Sequence, residues 1–255
     1  MIGRRPKAMI LFMSALFLFS ACAPKPALAP QDKKKADAAR NLGEAYLKEG
    51  RDTDALGEFL KAEKLNPDDA ILQNDLGLVY TAKKRYDMAI QHYKKAIQLK
   101  PDYSLAKNNL GVVYLIQKEW TKAIPVLDEV TKDMLYATPH FPLANLGWAY
   151  YNLGNYAKAE EYFKKSLELV PTFIVAQLNL GKTYLATGRV NEALKLFEEA
   201  AKNNPKNPAV LLGLGKTYRL LGDYSSARLA LKGAIQFAND PDLALEASDE
   251  LRKMY

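Results

Sequence analysis

The sequence predicts an all-α fold, a solenoid of six helix-turn-helix repeats closed by one further helix. Three observations predict it. A Leu-Gly-x-x-Tyr element occurs six times, with its glycines at Gly43, Gly77, Gly111, Gly147, Gly181 and Gly215. Those glycines are separated by 34, 34, 36, 34 and 34 residues. Each is followed by a small residue and then an aromatic or leucine at a fixed distance, as in Gly43, Ala55 and Phe59. A period of 20–50 residues marks an array whose units contact only their neighbours, so the 255-residue length does not count domains in the usual way.

The period near 34, with L-G-x-x-Y, then Ala, then an aromatic, then Pro, is the tetratricopeptide (TPR) pattern. Repeat 1 begins near Ala36 and ends at Pro67. Repeats 2 to 6 begin at Ala70, Ser104, His140, Ile174 and Pro208, and the array ends near Asn239. The glycine of each first helix is placed where the partner helix comes closest. Ala55, Ala89, Ala123, Ala159, Ala193 and Ala227 are its small counterparts. Phe59, Tyr93, Leu127, Phe163, Phe197 and Leu231 are expected to fill the space toward the next repeat. Gly50, Gly154, Gly188 and Gly222 fall in the turns between paired helices, where positive φ favours glycine. Lys84 and Lys118 stand at the same place in repeats 2 and 3, so a different turn is expected there. Pro67, Pro101, Pro171 and Pro205 stop the second helices. Residues 240–255 form the capping helix: Pro241 suits a first turn, and Leu243, Ala244, Ala247, Leu251 and Met254 share one face. Asp242, Glu246 and Glu250 are placed off that face.

Ahead of the repeats, residues 1–21 read as a secretory signal: Arg4, Arg5 and Lys7, then the apolar run 8–19, then small residues. The run is shorter than the roughly 20 residues a spanning helix needs. Phe19-Ser20-Ala21-Cys22 resembles a bacterial lipobox, which implies acyl lipid on Cys22 and no other cofactor. Ala23 in place of Asp after the cysteine implies, by the same resemblance, retention at the outer membrane facing the periplasm. Residues 22–35 read as a linker, with Pro24, Pro26 and Pro30 favouring an extended spacer and Lys33–Lys35 either solvated or touching anionic lipid. Cys22 is the single cysteine, so no intrachain disulfide is available. The formal net charge is +7, three of those charges lying in the signal, which is a weak basis for nucleic-acid binding.

Repeat 3 is irregular. Val130 replaces the small residue late in its second helix, and the junction Asp133-Met134-Leu135-Tyr136 through Pro142 is two residues longer than its counterparts. A lipobox, six TPRs and a D-x-L-Y…P junction before N-L-G resemble the pilotins of type IV pilus secretins, over essentially the whole chain. That resemblance implies an outer-membrane lipoprotein that localises and multimerises secretin subunits. The TPR part alone also fits a general periplasmic adaptor that recruits cell-wall enzymes or outer-membrane assembly factors.

In TPR arrays the first helices line the concave surface. Its apolar stretch is expected at Leu78 in repeat 2; Asn108, Val112, Leu115 and Ile116 in repeat 3; Trp148 and Tyr151 in repeat 4; and Leu178 and Leu185 in repeat 5. Asp37, Arg40, Glu44 and Lys48 make repeat 1 polar, and Lys216 and Arg219 charge repeat 6. An apolar strip with charged ends fits a helical or extended polypeptide partner, with Trp148 and Tyr151 as the anchors. Asn74, Asn108, Asn109, Asn145 and Asn179 either bond a peptide backbone or bridge adjacent helices. No phosphate loop, nucleophile set or metal-ligand spacing is present; the pairs Glu160-Glu161 and Glu198-Glu199 read as solvated, His92 as exposed and His140 as structural. No enzyme and no small-molecule substrate are expected.

Overall fold

The computed structural model describes residues 28–254, so the signal segment and Cys22 lie outside the described residues. Thirteen helices and no strand occur among the described residues. They pair as α1 (Pro30–Lys48) with α2 (Asp52–Leu65), α3 (Ala70–Ala82) with α4 (Tyr86–Leu99), and α5 (Ser104–Ile116) with α6 (Trp120–Thr131). Then come α7 (His140–Asn152) with α8 (Tyr156–Leu169), α9 (Ile174–Ala186) with α10 (Val190–Asn203), α11 (Pro208–Leu220) with α12 (Tyr224–Phe237), and last α13 (Pro241–Arg252). Contacts run between sequence neighbours and between each odd helix and the next odd helix, which is the connectivity of a solenoid. Helix α1 begins at Pro30. The last six residues of the expected linker are therefore helical, because Pro30 sits at the first helical position, where its missing N–H costs nothing.

The tight turns share one geometry. Gly50, Gly154, Gly188 and Gly222 have φ between 73° and 79°. Lys84 (φ 57°) and Lys118 (φ 60°) adopt the same left-handed conformation, so the turns of repeats 2 and 3 do not differ, contrary to expectation. The reason lies in the closing hydrogen bond. Arg85 N–H donates to the Tyr80 carbonyl (2.8 Å) and Glu119 N–H to that of Tyr114 (2.8 Å), as Asn155 N–H does to Tyr150 (2.9 Å). The L-G-x-x-Y tyrosine thus supplies the acceptor in each, and the lysines accept a left-handed cost of roughly 1 kcal/mol to keep that bond. Asp69, Asn207 and Asp240 cap the following helices by accepting backbone N–H bonds, leaving fewer orphan donors.

The core is a ring-on-glycine stack. A Cβ on Gly43 would lie 2.5 Å from the Phe59 ring, one on Gly77 2.4 Å from Tyr93, and one on Gly147 2.6 Å from Phe163. The large residue of each second helix therefore covers the glycine of its own repeat, rather than only reaching toward the next as expected. Phe197 does both: it covers Gly181 and also meets Gly213 of repeat 6. Burying such a ring contributes roughly 1.5–3 kcal/mol. Gln73 and Gln177 are fully buried and donate to the Pro67 and Pro171 carbonyls, both at 3.0 Å, tying α3 and α9 to the prolines that follow α2 and α8.

The long junction between repeats 3 and 4 is held by Asp133. Its carboxylate accepts from Ser104 Oγ and from the Leu135 N–H (2.9 Å), which holds its pKa below the usual carboxylate range. The same turn leaves Met134 98% and Leu135 93% exposed. Val130 is fully buried. No described helix is long and apolar enough to cross a membrane.

Candidate partner-binding trough

The expected strip divides in two. In repeats 2 and 3 Leu78 and Val112 are half-buried and Ile116 is 46% exposed. Leu115, at 8% exposure, is sealed in the core with Val113, Leu127 and Leu146, and Asn108, at 9%, is also buried. Neither offers a partner a surface, which corrects both assignments. Helical position alone does not separate a wall residue from a core residue when the next helix overlaps it.

A polar cluster occupies this part of the molecule instead. Asn109 Nδ2 donates to Asn74 Oδ1 (2.9 Å) and Asn74 Nδ2 to Asp75 Oδ1 (3.3 Å). These asparagines bridge repeats. Asp75 is buried, and its Oδ2 has no partner. Burial, with Glu44 adding to it, pushes its pKa to about 7.

In repeats 4 to 6 the first helices open a trough of about 630 Å³. It brings together four expected residues, Trp148, Tyr151, Leu178 and Leu185, with Lys182, Phe197, Leu212, Gly213, Lys216 and Arg219. Trp148 and Tyr151 stack with ring centroids 5.4 Å apart and planes 8° from parallel, a rigid aromatic shelf that costs little entropy when it is covered. Lys182 Nζ stands 5.7 Å from the Trp148 ring centre, within cation–π range. Lys182 stays exposed to solvent, and partial desolvation against the trough walls lowers its pKa below the ordinary lysine value; Glu246 opposes this and Lys216 adds to it.

The capping helix closes the far end with carboxylates, which sequence reasoning placed elsewhere. Glu246 pairs with Lys216, and Glu250 with Arg219 (2.9 Å) and Lys253 (2.6 Å). Glu250 is 7% exposed, and its pKa is lowered, the bonds from Lys253 and Arg219 outweighing desolvation. A helical wheel of α13 finds its apolar face through Ala247 but cannot show that the neighbouring stripe faces two cations of repeat 6.

Two smaller readings also change. His92 is half-buried, stacked on Tyr80 (5.2 Å) and bonded through Nδ1 to Gln73 Oε1 (2.7 Å), and burial lowers its pKa. Glu160 is bound by Arg189 and Lys164 rather than merely solvated. His140 packs against Phe141 and Phe173 (4.4 and 4.9 Å), as a structural residue would. Among the described residues no group of three His, Cys, Asp or Glu side chains could hold a metal ion.

Family models agree with this repeat geometry. Models described as "Tetratricopeptide repeat" match residues 178–247 and 142–173, and one described as "TPR repeat" matches 43–84 and 77–118. The chain is a tetratricopeptide-repeat protein. Its fold is like that of PilF from Pseudomonas aeruginosa, at 23% identity and a TM-score of 0.74 over 86% of this chain and 99% of that one. It is equally like PilW, a widely conserved type IV pilus biogenesis factor, at 22% identity and a TM-score of 0.75 over 86% and 97% of the two chains. YrrB, a TPR protein with an unusual peptide-binding site, is similar at 23% identity and a TM-score of 0.56 over 75% of this chain and 97% of that one. No curated protein sequence matches the chain significantly.

Proposed function

We propose that this chain is an outer-membrane lipoprotein, anchored through acyl lipid on Cys22, that binds secretin subunits of a type IV pilus and promotes their localisation and assembly. The observation that carries the binding half is the trough. An open, largely apolar cleft of about 630 Å³ with a stacked aromatic pair on one wall and charges at one end has the size and chemistry of a seat for a polypeptide segment. The pilus assignment draws support from the lipobox residues, the six repeats, the Asp133–Tyr136 junction and the end-to-end likeness in fold to PilF and PilW. Lipid on Cys22 supplies the tether; two or more acyl chains hold a protein to a bilayer far more firmly than one.

Deletion of the gene is expected to abolish SDS-resistant secretin multimers, and a Trp148→Ala, Leu178→Ala chain expressed at the normal level is expected not to restore them. Intact multimers in the deletion strain refute the reading. A pull-down that recovers wall hydrolases and no secretin replaces it with a general adaptor role.

A further inference from the structure

Lys182 and Lys216 occupy the same place in successive repeats, each the ninth residue of its first helix, counted from Ile174 and Pro208. Lys216 meets Glu246, the sixth residue of the next odd-numbered helix, counted from Pro241. The corresponding sixth residue opposite Lys182, counted from Pro208, is Gly213. Where the cap supplies a carboxylate, repeat 6 supplies only a glycine that lines the trough. A side chain could not simply be added there, because a Cβ on Gly213 would lie 2.7 Å from the Phe197 ring. Lys216 and Arg219 have carboxylate partners among the described residues; Lys182 has no ion pair there and rests over the indole of Trp148. The trough is therefore built with one unneutralised ammonium in its middle, and apolar lining lies to both sides of it, Trp148 and Leu178 on one and Ala209 on the other.

We infer that the trough takes a polypeptide segment in which an internal aspartate or glutamate, flanked on both sides by apolar side chains, places its carboxylate in the Lys182–Gly213 gap. The inference rests on the trough being the partner's seat. An internal residue fits better than a chain terminus because lining that is apolar on both sides of Lys182 is covered only by chain that continues in both directions. The carboxylate completes the ion pair that Glu246 makes one repeat further on, and the flanking side chains cover the Trp148–Tyr151 shelf and Ala209. Placed next to the cap instead, the same acid would meet Glu246 and Glu250, so charge fixes the register as well as the affinity.

The test titrates the purified full chain, carrying Trp120→Phe so that Trp148 is its one tryptophan, with capped pentapeptides, acetyl-Leu-Phe-Glu-Leu-Phe-amide and its Gln analogue, following Trp148 fluorescence. The expected result is about fivefold tighter binding of the Glu peptide, the worth of a partly exposed ion pair. That preference should shrink as salt rises, vanish in Lys182→Met, and pass to a Lys-containing peptide in Lys182→Glu. Equal binding of the Glu and Gln peptides, or a preference that survives Lys182→Met, overturns the inference while leaving the trough as the seat. A Gln peptide with a free C-terminal carboxylate that binds as tightly as the capped Glu peptide overturns the internal-residue assignment. No response to any peptide overturns the inference and the seat together.

Discussion

Asp75→Asn is expected to make the protein more stable above neutral pH and to leave it unchanged in acid. Asp75 is 7% exposed; one carboxylate oxygen accepts only the 3.3 Å bond from Asn74 and the other has no partner. The cation that acts on it, Arg40, is already bound to Asp69 (2.9 Å) and Glu44 (3.3 Å). The folded pKa is about 7, against the ordinary aspartate value of 3.8. Between those values the folded chain holds a proton that the unfolded chain has released. Stability therefore falls as pH rises from about 4 to 7, and it is flat beyond either end as far as this group is concerned. At about 1.4 kcal/mol per unit the full gap is on the order of 4 kcal/mol; water penetration and local relaxation bring the expected figure to about 2 kcal/mol. Asparagine keeps the shape of the neutral acid at every pH, and its amide can still serve the Asn74 contact. The assay is urea denaturation followed by circular dichroism, wild type and variant, at pH 4 and pH 8. His92 and all other titrating groups are common to both chains, so the difference between them isolates Asp75. A variant that gains nothing on going from pH 4 to pH 8 refutes the account of a strained buried carboxylate, as does a variant less stable than wild type at pH 8.

Three further outcomes follow from the packing. Gly181→Ala drives a methyl to 2.3 Å from the Phe197 ring and should cost about 1–3 kcal/mol by overpacking despite the better helix propensity of alanine; thermal melts check it, and adding Phe197→Leu should recover part of the loss. Lys84→Gly removes a left-handed lysine (φ 57°) and should leave stability unchanged or raise it by up to about 1 kcal/mol, whereas Lys83→Gly, one residue earlier with φ −77°, should not raise it. Leu115→Ala should cost about 2–4 kcal/mol, as a buried leucine does, while the half-buried Leu178→Ala should cost less in urea melts and more in secretin multimer formation. The reverse order would mean that the trough has been placed in the wrong repeats.

How much was legible in the sequence follows from what kind of contact each feature depends on. The six L-G-x-x-Y elements, the helix starts at Ala70, Ser104, His140, Ile174 and Pro208, and the cap at Pro241 were all readable, because each depends on a near neighbour in the chain: a glycine under a ring, a proline at a stop, a carbonyl closing a turn. The turn lysines misled for the same reason in reverse. Glycine is the residue that accepts positive φ most cheaply, but a tight turn with a good closing bond imposes that φ on lysine as well.

The binding surface was only half readable. Trp148, Tyr151, Leu178 and Leu185 met in one trough, yet Leu115 and Asn108, at positions of the same kind, are covered. The sequence by itself determined the period, the helix pairing and the identity of the residues that fill each repeat, since those rest on local spacing and on hydrophobic burial against the adjacent helix. Only the tertiary structure decided which first-helix residues stay open, that Glu246 and Glu250 close one end, and that Lys182 has Gly213 opposite it where Lys216 has an acid. Those outcomes depend on how far each helix overlaps the next, a distance between residues about 30 apart in the chain that no local pattern encodes.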